Sequence, residues 1–391
     1  MIYVDNAATT QMSKEVLDSM MPYLTEYYGN ASSIYTIGQK SRAAVDEARE
    51  KIAAAIGAKP SEIFFTGCGS EADNWAIKGT AEANRKKGMH LITSAIEHHA
   101  VLHSFAALEK QGFKVTYVPV DKNGLVNPAD VEAAITPETT LISIMTANNE
   151  IGTIQPISEI AEIAKRHKVY FHTDAVQAVG HIPVNVNELG VDMLSVSAHK
   201  FEGPKGVGFL YIKTGTRVGQ FMHGGAQERN RRAGTENVAG IVGMATALEI
   251  AVRDMDKNMA YCKKLRDKYL DLVTSKIDHV IINGDREKRL PGNANTSFEF
   301  IEGESLLLSL DMVGIAASSG SACTSGSLDP SHVLLAIGLP HGIAHGSLRV
   351  TFSHLNTEEE VEQIVDNLVT IVKRLRDMSP LYEDYLKGKK E

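Results

Sequence analysis

"MLSVSAHKFEGPKGVGFLYI", from Met193 to Ile212, contains two short apolar runs separated by a loop rich in glycine and proline. Apolar runs of this length, bounded by turn residues, predict buried β-strands. Lys200 follows the first run and precedes the loop. A charged side chain at the end of a buried strand is costly unless it has a partner. The segment therefore predicts a sheet and a candidate site at its edge.

Similar apolar runs precede this segment and alternate with helical patterns. They are "EIFF", "HLITS", "KVTYVPV", "TLISIMT" and "VYFHTDA". Apolar strands that alternate with helices are typical of a mostly parallel sheet covered on both faces. We therefore predict a large α/β domain over residues 15–255.

The pattern changes after residue 255. A long charged helix is predicted near residues 254–276, and it is followed by the strands "HVIING", "NTSFEF" and "SLRVTFS". Thr357 and Glu360 fit a capping box at the start of a last long helix. We predict a smaller α+β domain formed by residues 1–14 and 256–391.

The composition argues against several classes of protein. The chain has 391 residues and a net charge of −8, which does not fit the basic surface of a nucleic-acid-binding protein. No apolar run reaches the roughly 18 residues of a membrane span, and the first residues lack the pattern of a secretory signal. Cys68, Cys262 and Cys323 show no zinc spacing. We expect a cytoplasmic protein with free thiols.

Ligands of open α/β sheets bind at the carboxyl ends of the strands, and the first such end is followed by "TGCGSEADN". Gly67, Gly69 and Ser70 precede a predicted helix there. A helix N-terminus with free N–H groups suits a phosphate, but Ser70 is equally typical of an ordinary helix cap. The stretch lacks the third glycine of a dinucleotide-binding loop and the lysine of a P-loop.

Asp174 and Lys200 lie at the ends of two further predicted strands. Asp174 either caps a helix or pairs with a cationic heterocycle nitrogen, as pyridoxal phosphate requires. Most lysines are solvated, but a partly desolvated lysine can form a Schiff base. The glycine-containing loop, the acid and the lysine follow one another in an order that suits pyridoxal phosphate.

Histidine and arginine provide further candidates. His98 either stacks on an aromatic cofactor and moves a proton, or it is a capping or surface histidine. His99 and His103 have the i, i+4 spacing of a metal pair, but no third ligand or HExxH pattern accompanies them. Arg349 stands alone inside the apolar strand "SLRVTF". A buried arginine needs an anion, and a substrate carboxylate and an internal salt bridge both fit.

Nine motifs spread over nearly the full chain resemble those of cysteine desulfurases of the NifS/IscS type. These enzymes belong to the class-V aminotransferase group of fold-type I pyridoxal-phosphate enzymes. The motifs are "YVDNAATT", "GSEADNWAIKG", "EHHAV", "NNEIGTIQPI", "HTDAVQAVG", "SAHKFEGPKGVG", "RRAGTEN", "SSGSACTSGSLDPSHVL" and "SLRVTF". The resemblance implies a fold-type I transferase whose large domain binds pyridoxal 5'-phosphate and whose smaller domain carries the catalytic cysteine loop.

The resemblance implies cofactor-binding roles for matching residues in this chain. Lys200 would attach the cofactor covalently, Asp174 would pair with the pyridine nitrogen, and Gln177 would donate to the ring oxygen. The residues implied to contact the phosphate are Gly69, Ser70, Ser197 and His199, together with Thr235 from a neighbouring subunit of a homodimer. His98 would stack on the ring and assist proton transfer. Relatives often carry Ala-Thr where this chain has Gly69-Ser70, and serine keeps the hydroxyl.

The resemblance also implies the substrate and the nucleophile. Asn149 and Arg349 would hold the carboxylate of L-cysteine, and Cys323 would attack the substrate sulfur to give a persulfide and alanine. The stretch around Cys323 is similar to the first of the family's two groups. The persulfide sulfur would pass to an acceptor such as an iron–sulfur scaffold. No intrinsic metal site is implied, although Cys323 could transiently share a cluster with that scaffold.

Three alternatives remain open on sequence. Selenocysteine lyase is similar in residues and reaction. An aminotransferase with the same cofactor would not need Cys323. A sulfur carrier without catalysis would not need Lys200, Asp174 or Gln177.

Overall fold

A computed structural model describes residues 1–319 and 330–388 of the chain. The strands of its largest sheet are β2 (Ile63–Thr66), β3 (His90–Ser94), β4 (Lys114–Val118), β5 (Thr139–Ser143), β6 (Tyr170–Asp174), β7 (Met193–Ser197) and β8 (Gly208–Ile212). They lie in the order β2-β8-β7-β6-β5-β3-β4. Only β8 runs antiparallel to its neighbours. The carboxyl ends of β2, β3, β5, β6 and β7 therefore share one edge of the sheet.

Helices cover both faces of this sheet. They are α1 (Lys14–Thr25), α2 (Thr36–Ala55), α3 (Gly69–Asn84), α4 (His99–Glu109), α5 (Pro128–Ala134), α6 (Ile157–His167), α7 (Val186–Leu189), α8 (Gln227–Asn230) and α9 (Val238–Arg253). Successive strand residues point to opposite faces. Leu141 accordingly packs in the core that contains Trp75 of α3, whereas Ile142 packs in the core that contains Ile52 of α2. This two-sided burial explains why the strands are apolar throughout.

Most of the remaining elements surround a second core. The remaining elements are β1 (Ile2–Tyr3), α10 (Met255–Lys276), β9 (Val280–Ile282), β10 (Asn293–Phe298), α11 (Gly303–Met312), β11 (Ile315–Ala316), α12 (His332–Ala336), α13 (His341–His345), β12 (Ser347–Thr351), α14 (Glu358–Asp377) and α15 (Pro380–Gly388). The antiparallel sheet β12-β10-β9 packs with α10 and α14, and β1 pairs with β11. Val4 also belongs to this core. The start of the chain therefore packs against its last third.

The fold class predicted from the sequence is confirmed: the protein is α/β, with a mostly parallel seven-stranded sheet. The capping box of Thr357 and Glu360 is also present at the start of α14. The short β1–β11 pair was not predicted, because two-residue strands carry no periodic signal. The division into domains at residue 255 remains a proposal, which the second core with Val4 supports. In the described ranges, no helix is both long enough and apolar enough to span a membrane.

Candidate active site

A cavity of about 420 Å³ opens at the edge of the large sheet where the parallel strands end. Most of the predicted site residues line this cavity: Gly69, Ser70, His98, Asn149, Asp174, Gln177, Ser197, His199, Lys200 and Arg349. Thr235 is exposed and does not line it. Cys323 lies outside the described residues.

The N-terminus of α3 forms one wall of the cavity. The helix begins at Gly69, and its N-cap residue is Cys68, whose side chain makes no capping hydrogen bond. The interpretation of Ser70 as the helix cap is therefore wrong, because Ser70 lies inside the first turn. A Cβ atom on residue 69 would approach Cγ2 of Val176 to 2.7 Å. Glycine at this position therefore allows α3 to start against the loop that follows β6. The first-turn N–H groups then face the cavity with the positive end of the helix dipole.

An ion pair that sequence reasoning missed fixes the loop before α3. Glu71 accepts hydrogen bonds from the Gly67 N–H at 2.7 Å and from Nε of Arg232 at 2.7 Å. Arg232 belongs to the motif "RRAGTEN", which also contains Thr235. The motif therefore supports the N-terminus of α3 within the same chain, independently of any role for Thr235.

Asp174 is the last residue of β6 and is 6% exposed. Its Oδ1 accepts a hydrogen bond from the Val176 N–H at 2.9 Å. Burial raises the pKa of Asp174 to about 6, against the lowering effects of that hydrogen bond and of Lys200. A buried carboxylate of this kind is stabilised by a cation placed in the cavity.

Lys200 ends a short 3₁₀ turn directly after β7. Its Nζ donates hydrogen bonds to the carbonyl oxygens of Ala7 at 2.6 Å and Ala8 at 2.8 Å. Gln177 also donates to the Ala7 carbonyl, at 3.0 Å. The N-terminal segment therefore positions Lys200, although Ala7 and Lys200 are 193 residues apart in the sequence.

His98 is a capping histidine, one of the alternatives left open by the sequence. It is the N-cap of α4, and its Nδ1 accepts from the Ala100 N–H at 3.1 Å. The same side chain lines the cavity. Burial, followed by the nearby Lys200, lowers the pKa of His98 to about 4. The imidazole is therefore neutral at pH 7 and suited to stack on a ring or to accept a proton.

His199 and Ser197 lie on either side of the end of β7. Nδ1 of His199 is 3.1 Å from Oγ1 of Thr9, which again involves the N-terminal segment. Burial lowers the pKa of His199 to about 4. Its ring is therefore neutral at pH 7 and able to donate one hydrogen bond to an anion in the cavity.

Arg349 lies in the middle of β12 and is 2% exposed. Nη2 pairs with Oδ1 of Asp5 at 2.8 Å, and Nη1 donates to the Asn149 carbonyl at 3.0 Å. The internal salt bridge considered from the sequence is therefore present. Arg349 also lines the cavity, and its Nε has no hydrogen-bond partner among the described residues. A buried donor in this position is suited to a carboxylate ligand.

Three buried carboxyl groups near the cavity were not predicted. Burial raises the pKa of Glu97 to about 8 and that of Glu150 to about 7. Glu97 accepts from Ser94 at 2.5 Å, and Glu150 accepts from the hydroxyl of Ser331. The third is Asp73, on the inner face of α3. The signal that could have indicated the two glutamates is their position just after apolar strands, in "AIEHH" and "ANNEIG".

The histidine pair considered as a metal site does not form part of a ligand cluster in the described residues. The one group of three candidate ligands found there is Asp73, His98 and Asp174, whose nearest ligand atoms all lie within 4.8 Å of one another. The ring centroids of His99 and His103 are 5.1 Å apart. Of these two residues, His99 lines the cavity.

Comparison with known proteins gives full-length matches. A cysteine desulfurase IscS from Clostridium botulinum is 55% identical over 392 residues, which cover 100% of this chain and 99% of that protein. A cysteine desulfurase IscS from Methanosarcina thermophila is 57% identical over 380 residues, which cover 97% of this chain and 94% of that protein.

Solved structures agree with these matches. A "NIFS-LIKE PROTEIN" aligns with a TM-score of 0.91 and 41% identity, covering 96% of this chain and 100% of that one. The structure "SspA in complex with cysteine" aligns with a TM-score of 0.80 and 37% identity over 90% of this chain and 99% of that one. The family model "Aminotransferase class-V" matches residues 2–364, and the chain belongs to this family.

Proposed function

We propose that the protein is a pyridoxal-phosphate-dependent cysteine desulfurase, which converts L-cysteine to L-alanine and leaves a persulfide on Cys323. One observation carries the proposal: Lys200, Asp174 and Arg349 line the same cavity. A strand-end lysine and a buried acid suit the cofactor, and the arginine suits an amino-acid carboxylate. Full-length relatives named cysteine desulfurase support the choice of reaction.

The residues present fit pyridoxal phosphate. The cavity volume of about 420 Å³ falls in the range of small-molecule sites. The phosphate would lie at the N-terminus of α3, whose first-turn N–H groups suit an anion. The groups that would surround the phosphate are Gly69, Ser70, Ser197 and His199. The buried Asp174 would meet the pyridine nitrogen, because its carboxylate gains most from a cationic partner.

Bound pyridoxal phosphate supplies an electron sink for the substrate Cα. Around it, Lys200 is held by two carbonyl oxygens of the N-terminal segment, which fix its amine at the cavity wall. Gln177 would donate to the ring oxygen, and the neutral His98 would stack on the ring and accept a proton. These groups hold positions or move protons.

The substrate would be held by its carboxylate. Arg349 and the Asn149 side chain both line the cavity, and Nε of Arg349 is a buried donor without a partner among the described residues. Cys323 would then attack the sulfur of L-cysteine. An S–S bond forms as the substrate Cβ–S bond breaks, so alanine leaves and the persulfide remains on the protein. The persulfide sulfur would pass to an iron–sulfur scaffold or to another thio-cofactor assembly protein in the cytoplasm.

We also propose that the enzyme is a homodimer in which Thr235 contacts the phosphate in its partner. Thr235 is exposed and lies outside its own cavity, as a residue acting across an interface would. Mixing Lys200→Ala protein with Thr235→Ala protein should restore activity above that of either variant, because one shared site would contain neither substitution. An active monomer in sedimentation would contradict the shared site.

The experiment that tests the reaction replaces the proposed nucleophile. Cys323→Ser should bind the cofactor and L-cysteine but should not accumulate alanine and sulfide, because a hydroxyl is far less ionised than a thiol. Cys68→Ser is the matched control and should keep most of the turnover. Release of sulfide by Cys323→Ser at the wild-type rate would reject the proposal. Relative rates on cysteine and selenocysteine would separate a desulfurase from a selenocysteine lyase.

A further inference from the structure

A second buried carboxyl group lies beside Asp174. Asp73 is on α3, is 1% exposed and lines the same cavity. Its nearest carboxylate oxygen lies within 4.8 Å of both an oxygen of Asp174 and a ring nitrogen of His98. Oδ1 of Asp73 has no hydrogen-bond partner among the described residues. None of the roles proposed above uses this group.

Asp73 is connected to a polar network inside the sheet. Ser195 of β7 lies near its carboxyl and opposes the rise in its pKa. The hydroxyl of Ser195 is 2.9 Å from Nε2 of His172, and Nδ1 of His172 is 2.8 Å from the hydroxyl of Ser143. Ser195, His172 and Ser143 are each fully buried. The network therefore crosses from β7 through β6 to β5, and it reaches Asp73 on α3 through His172, whose Nε2 is 3.7 Å from Oδ1 of Asp73.

The charge state of this network follows from burial. Burial, and then the negative charge of Asp174, raise the pKa of Asp73 well above its usual value, and Glu97 adds to the effect. Burial lowers the pKa of His172 to about 3. Nε2 of His172 and Oδ1 of Asp73 are 3.7 Å apart, but a neutral imidazole gives no ion pair. His98, the other titratable neighbour, is neutral as well.

Asp174 differs from Asp73 because neighbouring groups stabilise its negative charge. The positive charge of Lys200 and the N–H of Val176 both act on Asp174 and lower its pKa. Among the described residues, no cation lowers the pKa of Asp73 in the same way. Two carboxyl groups this close cannot both ionise at low cost in a buried site. The proton therefore resides on Asp73, and the negative charge on Asp174.

We propose that Asp73 is a neutral carboxylic acid that positions the single negative charge of the pair on Asp174. Asp73 acts through Asp174 and is a positioning residue. The inference rests on the proposed function in one respect: Asp174 is taken as the partner of the cofactor nitrogen. The neutral state of Asp73 can be measured without that assumption.

Infrared spectroscopy of the purified protein tests the neutral state directly. A protonated carboxyl has a carbonyl stretch at higher wavenumber than a carboxylate. Asp73→Asn should remove one such band from the wild-type spectrum, whereas Asn74→Asp, at the half-buried next position of the same helix, should leave it in place. Ser195→Ala should shift the band without removing it, because it deletes a polar group near the Asp73 carboxyl. Identical spectra for wild type and Asp73→Asn would overturn the proposal.

Cofactor titration tests the positioning role. Because Asn is neutral and similar in shape, Asp73→Asn should keep the dissociation constant for pyridoxal phosphate within about threefold of wild type. Asp73→Ala removes the polar group beside Asp174 and leaves a cavity in its place, and should raise the dissociation constant about tenfold or more. An equal loss in both variants would mean that the charge of Asp73 is needed, and would overturn the proposal.

Two further outcomes separate this proposal from others. If the wild type binds no pyridoxal phosphate, the proposed function fails, while the infrared difference still decides whether Asp73 is neutral. If Zn²⁺ added to the chelator-treated protein abolishes the band, the cluster of Asp73, His98 and Asp174 holds a cation, and the neutral-acid proposal is wrong.

Discussion

The two sides of the cavity place their charged groups in different ways. On the side of the large sheet, Asp174 and Lys200 lie at the ends of β6 and β7, where parallel strands converge on one edge. On the other side, Arg349 lies in the middle of an antiparallel strand and is compensated by Asp5. The first arrangement follows from fold topology. The second depends on one buried ion pair, so it is more easily altered by substitution.

The largest expected effect is on the strand-end side. Lys200→Ala should lower desulfurase activity by about a thousandfold or more, because it removes the amine that would attach the cofactor. Borohydride reduction of the wild type should fix the cofactor to the peptide that contains Lys200. Lys205→Ala, in the adjacent loop, is the matched control and should be labelled as the wild type is. Labelling of Lys205 in the wild type would contradict the strand-end assignment.

A smaller effect is expected on the arginine side. Arg349→Lys keeps the positive charge but cannot contact both Asp5 and the Asn149 carbonyl in the same way. The loss of a charged, forked contact is worth about 1.5–3 kcal/mol, so KM for L-cysteine should rise about tenfold to a hundredfold. The absorbance of the bound cofactor should not change. Arg374→Lys, whose arginine bonds Ser309 on the far side of the second core, is the control. An unaltered KM would remove Arg349 from the substrate site.

The same contrast explains how much of the site could be predicted from the sequence. Asp174 and Lys200 directly follow apolar runs, so a strand prediction also locates them. Asp73 occupies an ordinary position inside a helix, and only the packing of α3 on β7 reveals its burial. The contact between Lys200 and Ala7 joins residues far apart in the chain, and no local pattern encodes it. The strands themselves were predictable because burial on both faces makes each one apolar.

Glu150 also lines the cavity. It offers a test of how much the burial of a charged carboxylate costs in stability. Its pKa is raised from 4.5 to about 7, mainly by burial, while Ser331 and Arg349 oppose the shift. Because the folded pKa is the higher one, the stabilising contribution is present below about pH 4.5 and is lost as pH rises to about 7. Glu150→Gln removes this dependence and can still accept from Ser331. The variant should therefore gain about 2 kcal/mol relative to wild type between about pH 5.5 and 8.5.

Urea unfolding at the two pH values measures this difference. Glu162→Gln, on the exposed face of α6, removes one surface charge and is the matched control. A relative stability that does not change with pH would mean that Glu150 keeps one protonation state throughout. The compensation by Arg349 would then be stronger than the structure indicates.

The smallest expected effect on turnover is that of the two described cysteines, of which only Cys68 lines the cavity. Cys262 on α10 is 8% exposed, and burial raises the pKa of its thiol to about 12. Cys68, at the start of α3, is exposed. In a Cys323→Ser background, iodoacetamide at pH 8 should label Cys68 at least about a hundredfold faster than Cys262, because the thiolate is the reactive form. Unfolding in urea should abolish the difference. Cys262→Ser should cost about 1–3 kcal/mol of stability, since it buries a hydroxyl, and should leave turnover nearly unchanged. Equal labelling rates in the folded protein would show that α10 opens readily. The second core would then be less stable than the core of the large sheet.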